Sequence, residues 1–197
     1  LMALDKQDQQ PAKFLLSYHY FKKMDLDELV AGMGTRPMLF ADSGAYSAWT
    51  QGAEVKVKEY ATWLKRWEHL LSVYVNLDVI RDAEATASNQ RLIEREGLQP
   101  IPVFHTGSDM AVLDGLAKEY PYIALGGMVG SAGAACLRWS AACMKRTQDQ
   151  GTVFHGFGQT RKALIESLPW YSVDSSSWGS GHRFGAVDVW TGRQFVK

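Results

Sequence analysis

Cysteine is scarce in this 197-residue chain, and neither sign of charge is in excess. The two cysteines, Cys136 and Cys143, lie seven residues apart in a stretch of helical character. That spacing sets their Cα atoms about 10 Å apart, too far for a disulfide, and it lacks the paired pattern of a zinc site. Both read as small core residues of a reduced, intracellular protein. Lys and Arg total 21 and Asp and Glu 21, so the formal net charge is zero. Neutrality excludes a histone-like or cationic membrane-binding protein, while a local basic rim stays compatible with it. No run approaches the roughly 18 apolar residues of a membrane span, so no membrane partner is expected. The first ten residues are polar and lack the apolar stretch of a signal peptide. The chain opens on Leu, as an end trimmed from a longer chain does. No Pro- or Ser-rich linker and no short repeat divides it.

What is there is ordinary globular composition, 46% hydrophobic and 21% charged, enough for one domain spanning 1–197 with a sizeable core. Short apolar runs alternate with helical stretches. Strands are predicted at Leu15–Tyr20, Met38–Asp42, Val73–Asp78, Ile101–His105, Tyr122–Leu125, Val153–Gly156 and Trp170–Asp174. A first helix, capped by Asp25 or Asp27, runs through Leu29 and Val30. Val57–Leu71 carries Tyr60, Trp63, Leu64, Trp67 and Leu71 as an amphipathic stripe. Asp82–Glu96, Asp109–Glu119, Ala132–Gln148 and Thr160–Leu168 follow as helices.

Strands separated by helices imply parallel β/α units with right-handed crossovers, here over residues 12–178. An open doubly wound sheet and a (β/α)8-type barrel both fit. The chain is short for such a barrel, which typically takes about 250 residues. Phe184–Trp190, a Thr-Gly turn and Gln194–Val196 read as a β-hairpin in the tail 179–197. The expectation is an α/β fold, a small or incomplete TIM (β/α)8-type barrel with a C-terminal β-hairpin.

In β/α folds the site forms at the C-terminal ends of the strands, and here nearly every strand ends in polar groups or glycine. The ends are Tyr18-His19-Tyr20, Asp42-Ser43-Gly44, Asn76 and Asp78, His105-Thr106-Gly107, Gly126-Gly127, His155-Gly156-Phe157-Gly158-Gln159 and Asp174-Ser175-Ser176-Ser177. A single Asp there is often a helix cap; several on one edge point to chemistry. Carboxylates at separate strand ends let one attack as nucleophile while another moves a proton, the division of labour used in glycosyl transfer and hydrolysis. The bare backbone of Gly126-Gly127 can approach a flat ligand, or simply make a tight turn. Tyr46, Trp49, Phe104, Phe157 and Trp178 are candidates to stack on a base, or core residues. No cofactor signature is complete: Gly126-Gly127-Met128-Val129-Gly130 fits neither the P-loop nor the dinucleotide fingerprint. His19, His105 and His155 lack metal-ligand spacing, so neither cofactor nor metal is expected.

Taken together, these strand ends resemble a known family. Phe40-Ala41-Asp42-Ser43-Gly44-Ala45-Tyr46 resembles the Asp-Ser-Gly-Gly-Phe/Tyr motif of the tRNA-guanine transglycosylases, the queuine tRNA-ribosyltransferase family. Tyr122–Gly130 is similar to its Ala-(Ile/Leu)-Gly-Gly-Leu-x-x-Gly segment, Phe154–Gly158 to its Leu-Met-Gly-Val-Gly strand end, and Val173-Asp174-Ser175 to its nucleophile segment. Order and approximate spacing hold across residues 38–178, most like the compact phage-type members, some of which put 7-deazaguanines into DNA. The resemblance implies a modified TIM barrel that exchanges guanine for a 7-deazaguanine through a covalent glycosyl-enzyme. It makes Asp174 the nucleophile, Asp42 the general acid/base, Asp78 the reader of the base's N1–H and amino group, and Gly126 and Gly127 donors to its carbonyl. His105 falls where the family usually has Gln; Ser43, Tyr46, His155 and Phe157 complete the expected binding surface. The implied setting is the cytoplasm, that of a host for a phage protein, with DNA or tRNA and a 7-deazaguanine base as partners and a homodimer as an assembly the family often forms.

The departures are specific. Three closely spaced cysteines and a distant histidine, the family's structural zinc motif, are absent, and Asp-Ser-Gly-Ala replaces Asp-Ser-Gly-Gly. The basic rim consists of Lys56, Lys58, Lys65, Arg66, Arg161, Lys162, Arg183 and Arg193, a set that equally describes a solvated surface. A barrel hydrolase acting on an N-glycosidic bond, and a non-catalytic nucleic-acid-binding barrel, are the alternative readings.

Overall fold

Strand β1 (Lys13–Ser17) pairs in parallel with β2 (Met38–Asp42), and β2 with β3 (Leu71–Tyr74). The computed structural model describes residues 11–176 and two short strands nearer the C-terminus. The chain divides into two units, Leu1–Val103 and Phe104–Lys197. Both alternate strands with helices, and the architecture is α/β with parallel sheets.

In the first unit the sheet order is β1-β2-β3. Its helices are α1 (Tyr18–Phe21), α2 (Leu26–Ala31), α3 (Ala45–Thr50), α4 (Val57–Trp67) and α5 (Ala83–Arg95). The stripe on α4 forms because Tyr60, Trp63, Leu64 and Trp67 recur at helical spacing. It packs on Leu16, Leu39 and Ala41, the buried alternates of β1 and β2, and each large apolar side chain so buried contributes about 1.5–3 kcal/mol. The opposite face carries Leu15, Phe40 and Val73 in register, with Ser17 opposite Asp42 at the strand ends. Asp25 caps α2, accepting from the amides of Asp27 and Glu28 at 3.0 and 3.1 Å. Asp27 does not cap; it accepts from His69 Nε2 at 3.0 Å.

Two expectations are corrected here. Tyr18-His19-Tyr20 is not strand but the turn α1, closed by Lys22 N–H donating to Tyr18 O. Packing of the Tyr18 ring on Tyr60 and Trp63, with centroids 5.3 and 5.5 Å apart, overrides the strand preference of an aromatic run. Leu71 does not end the helix of Trp67 but begins β3, and that strand stops at Tyr74, leaving Asn76 and Asp78 in the loop beyond it.

In the second unit β4 (Val103–His105), β5 (Tyr122–Gly126), β6 (Val153–Gly156) and β7 (Ser172–Val173) are hydrogen-bonded in that order. Between them run α6 (Met110–Glu119), α7 (Gly133–Arg146), a 3-10 turn at Gln148–Gln150, and α8 (Lys162–Ser167). Ile123, Leu125 and Phe154 point at the helices and meet Leu113, Cys136, Cys143 and Leu164. Both thiols are free and buried, seven residues apart on one face of α7. Phe104 is core as well, stacked on Trp139 at 5.8 Å, so it is no platform for a base. Strands β8 (Val189–Trp190) and β9 (Phe195–Val196) pair antiparallel, Trp190 opposite Phe195, as the expected hairpin requires. Trp178, Arg183, Arg193 and the stretch 184–188 lie outside the described residues.

Candidate active site

The polar groups predicted at the strand ends gather in two clusters, one in each unit. In the first unit, Asp42 closes β2 and turns the chain sharply. Its Oδ2 accepts from the Gly44 amide at 3.0 Å, and Ser43 Oγ accepts from the Ala45 amide at 3.2 Å, starting α3. Gly44 has φ +72, and a Cβ there would overlap Ser17 Oγ and lie 2.6 Å from His19 Cβ. Only glycine fits that left-handed, crowded position, which is why the motif reads Asp-Ser-Gly.

The buried Ser43 hydroxyl donates to Asp78 Oδ1 at 3.4 Å, bringing the end of β2 to the loop that follows β3. The loop carrying Asp78 is fastened to α5. Asn76 Nδ2 donates to Thr86 O at 2.8 Å, the Val79 amide to Thr86 Oγ1 at 2.9 Å, and Asn89 Nδ2 to Leu77 O at 3.0 Å. Arg81 in the same loop takes φ +65, an uncommon conformation for a residue with a side chain. Beneath the carboxylates the buried Tyr60 hydroxyl donates to Val75 O at 2.8 Å. Burial pushes its phenol well above the ordinary value, and the charges of Asp42 and Asp78 push it further. Both carboxylates therefore cast their field on one buried phenol.

Beyond Gly44, Tyr46 and Trp49 stand on α3 with 51% and 53% of their surface exposed, their ring centroids 6.2 Å apart. They are free to take a flat ligand, as buried aromatics are not. His19 donates from Nε2 to Gln51 Oε1 at 3.1 Å, and Gln51 donates to the Tyr20 hydroxyl at 2.9 Å.

In the second unit, register sets Ala124 opposite His155 and His155 opposite Ser172. The two-residue alternation of strands then puts Tyr122, Ala124, His155, Ser172 and Asp174 on one face. They form a chain of contacts. Tyr122 OH and Ser172 Oγ are 2.6 Å apart, Ser172 Oγ and His155 Nδ1 also 2.6 Å, and His155 Nε2 lies 3.3 Å from Asp174 Oδ1. The Gly158 amide donates to the same Oδ1 at 2.9 Å. His155 is 2% exposed and Asp174 22%, so the chain passes from a buried imidazole to a more accessible carboxylate. The Phe157 ring stands half-buried, edge-on to His155 at 4.7 Å.

His105 ends β4, half-buried. Gly126 is buried and Gly127 exposed; the Thr106 amide donates to Gly126 O at 3.2 Å and Thr106 Oγ1 to Gly127 O at 3.0 Å. The basic rim is largely engaged within the chain. Lys56, Lys65, Arg66 and Lys162 pair with Glu59, Glu96, Asp25 and Glu166, and Arg161 donates to Ser131 O at 2.6 Å. Among the described residues no group of three His, Cys, Asp or Glu is placed to hold a metal, and no helix is long and apolar enough to cross a membrane.

Sequence reasoning missed Tyr122 and Ser172. The signal was Ser172 standing two residues before Asp174 on the same strand face, which means little until β6 brings His155 alongside. In comparisons with known proteins, no family model and no curated protein matches the chain.

Proposed function

We propose that this chain is a guanine transglycosylase of the queuine type, a small (β/α)8-type barrel that exchanges guanine in nucleic acid for a 7-deazaguanine. The observation that carries the reading is Asp174. It is an accessible strand-end carboxylate whose Oδ1 is held by the Gly158 amide and His155. A carboxylate fixed through one oxygen and open to solvent is suited to present the other as a nucleophile.

In the first half-reaction Asp174 Oδ2 attacks C1′ of the target nucleoside. The glycosidic bond breaks, its electron pair leaves with guanine, and Asp42 gives the departing ring nitrogen a proton. In the second half the carboxylate of Asp42 takes a proton from the incoming 7-deazaguanine. That base's nitrogen attacks C1′, and the bond to Asp174 breaks with its electron pair returning to the carboxylate. Retention through two displacements follows. Asp78, held by Ser43, accepts from N1–H and the amino group of the base; Gly126 and Gly127 donate to its carbonyl; Tyr46 and Phe157 supply the apolar contact, and His105 lines the base site. The local pairing of the basic rim favours recognition at the base over a broad grip on phosphates.

The test is incorporation of radiolabelled guanine into tRNA and into double-stranded DNA, followed by a 7-deazaguanine chase, with Asp174→Ala as control. Label that enters one polymer, is chased by the deazaguanine and depends on Asp174 is the expected result. Free sugar without exchange would replace transfer by hydrolysis. Salt-dependent binding with no turnover, unchanged in Asp174→Ala, would leave a binding protein.

A further inference from the structure

Behind the accessible carboxylate lies a part-buried hydrogen-bond wire, Tyr122–Ser172–His155, neither of whose two contacts is needed to build the strands. From its geometry, and resting on the transglycosylase reading above, we infer that the wire locks His155 with its proton on Nε2 and makes His155 and the Gly158 amide a paired clamp for the carboxylate that leaves when the glycosyl-enzyme breaks down. His155 is thus a positioning residue, acting on the reaction through Asp174.

The polarity of the wire follows from its members. Each hydroxyl has one proton to give and can accept another. A phenol is the more acidic of the two, so Tyr122 donates to Ser172. Burial raises its phenol, and the proton stays in place. Ser172 then has its own proton for Nδ1 of His155, 2.6 Å away. An imidazole that accepts at Nδ1 carries its proton on Nε2, and Nε2 faces Asp174 Oδ1. A serine nucleophile served by the histidine is the reading the geometry argues against. Ser172 already contacts Tyr122 at 2.6 Å, and Asp174 stands at the accessible end of the chain.

The consequence concerns one half-reaction. While Asp174 is esterified through Oδ2, Oδ1 is a carbonyl oxygen. As the incoming base forms its bond to C1′ and the Oδ2–C1′ bond breaks, negative charge returns to the carboxylate, and two fixed donors meet it on Oδ1. Donors already aimed where charge develops lower a barrier most, and removing one costs about 100- to 1000-fold in such sites. The same donors hold the free carboxylate before attack and lower its nucleophilicity, so their loss weighs more on breakdown than on formation.

The first experiment is on the wild-type protein: 15N chemical shifts of His155. A protonated Nε2 and a bare Nδ1 are expected, and a proton on Nδ1 alone would overturn the wire. The second follows the trapped glycosyl-enzyme on its nucleic acid and its discharge by a 7-deazaguanine. His155→Leu should slow discharge about 100-fold, with a smaller loss in adduct formation and KM for the base within about threefold. His155→Gln, which can still donate to Oδ1, should recover most of the discharge rate. Ser172→Ala, a milder change if the buried leucine fails to fold, should lower the Nε2–H fraction and slow discharge severalfold. Discharge at the wild-type rate in a folded His155→Leu or Ser172→Ala protein overturns the clamp. Absence of any adduct in the wild type overturns the transglycosylase reading and the clamp with it, while the nitrogen shifts still decide the wire.

Discussion

Thr106 and Gly127 fasten two neighbouring strand ends together. The threonine hydroxyl donates to the glycine carbonyl at 3.0 Å, and a Cβ placed on Gly127 would lie 2.5 Å from that same hydroxyl oxygen. Gly127 also holds φ +78. Gly127→Ala should therefore cost about 2 kcal/mol from backbone strain alone. A protein of this size then loses about 4–8 °C in Tm. Calorimetry checks this, and a Tm within 1 °C of wild type would show that the turn is slack.

Asp42 accepts from the Gly44 amide and stands at the end of β2, near the phenol of Tyr60. Asp42→Asn keeps the shape and removes the exchangeable proton. Under the proposed mechanism it should slow both half-reactions by about 100- to 10,000-fold, the range for a displaced general acid/base. Single-turnover assays of adduct formation and of discharge measure each separately. A variant that loses only one of the two would confine Asp42 to that step.

Stability should fall on the alkaline side. The Cys143 thiol is pushed by burial from 9.0 to about 12, and burial raises the phenols of Tyr18, Tyr60, Tyr74 and Tyr122 as well. Groups whose folded values lie above their unfolded ones favour the fold fully at lower pH, and that contribution is lost as pH rises and the unfolded chain ionises first. Urea midpoints should hold to about pH 9 and decline from there toward 12. Absorbance of ionised phenol should show Tyr60 titrating only as the protein unfolds. On the acid side the Asp114–Arg146 and Lys65–Glu96 pairs lower both carboxyls, yet they sit in solvent, where screening leaves such pairs little weight.

The thiols give an independent check on the second core. Cys136 and Cys143 are both buried in it, so iodoacetamide at pH 8 should modify neither in the folded protein and both in urea. Rapid labelling of Cys143 without denaturant would mean that α7 opens readily.

The helix α4 was legible because four large apolar side chains at 3.6-residue spacing have one physical solution. The starts of the helices at Asp82 and Asp109 were legible too, and in the structure those side chains accept from the Ala85 and Ala111 amides as cap residues do. The helix α3 was not. Its Tyr, Ser, Trp and Thr are weak helix formers, and it starts because Ser43 and Gly44 make the turn before it. Asp42, Ser43 and Asp78 could be picked out one at a time by their place at strand ends. The pairing of Ser43 with Asp78, and the run from Tyr122 to Asp174, depend on which residues face each other across strands, and strand spacing alone does not specify that.

The order of strands within each sheet bears on how the chain finds its structure. Every strand from β1 to β3, and again from β4 to β7, bonds to the strand next to it along the chain. Only one or two helices and their loops must close for each new pairing, so the entropic cost of search is met in small steps. Low sequence separation between partners goes with fast folding. Each sheet can therefore grow strand by strand, with the helices between, in the direction of synthesis, and Asp174, just past the last strand of its sheet, is among the last groups set in place.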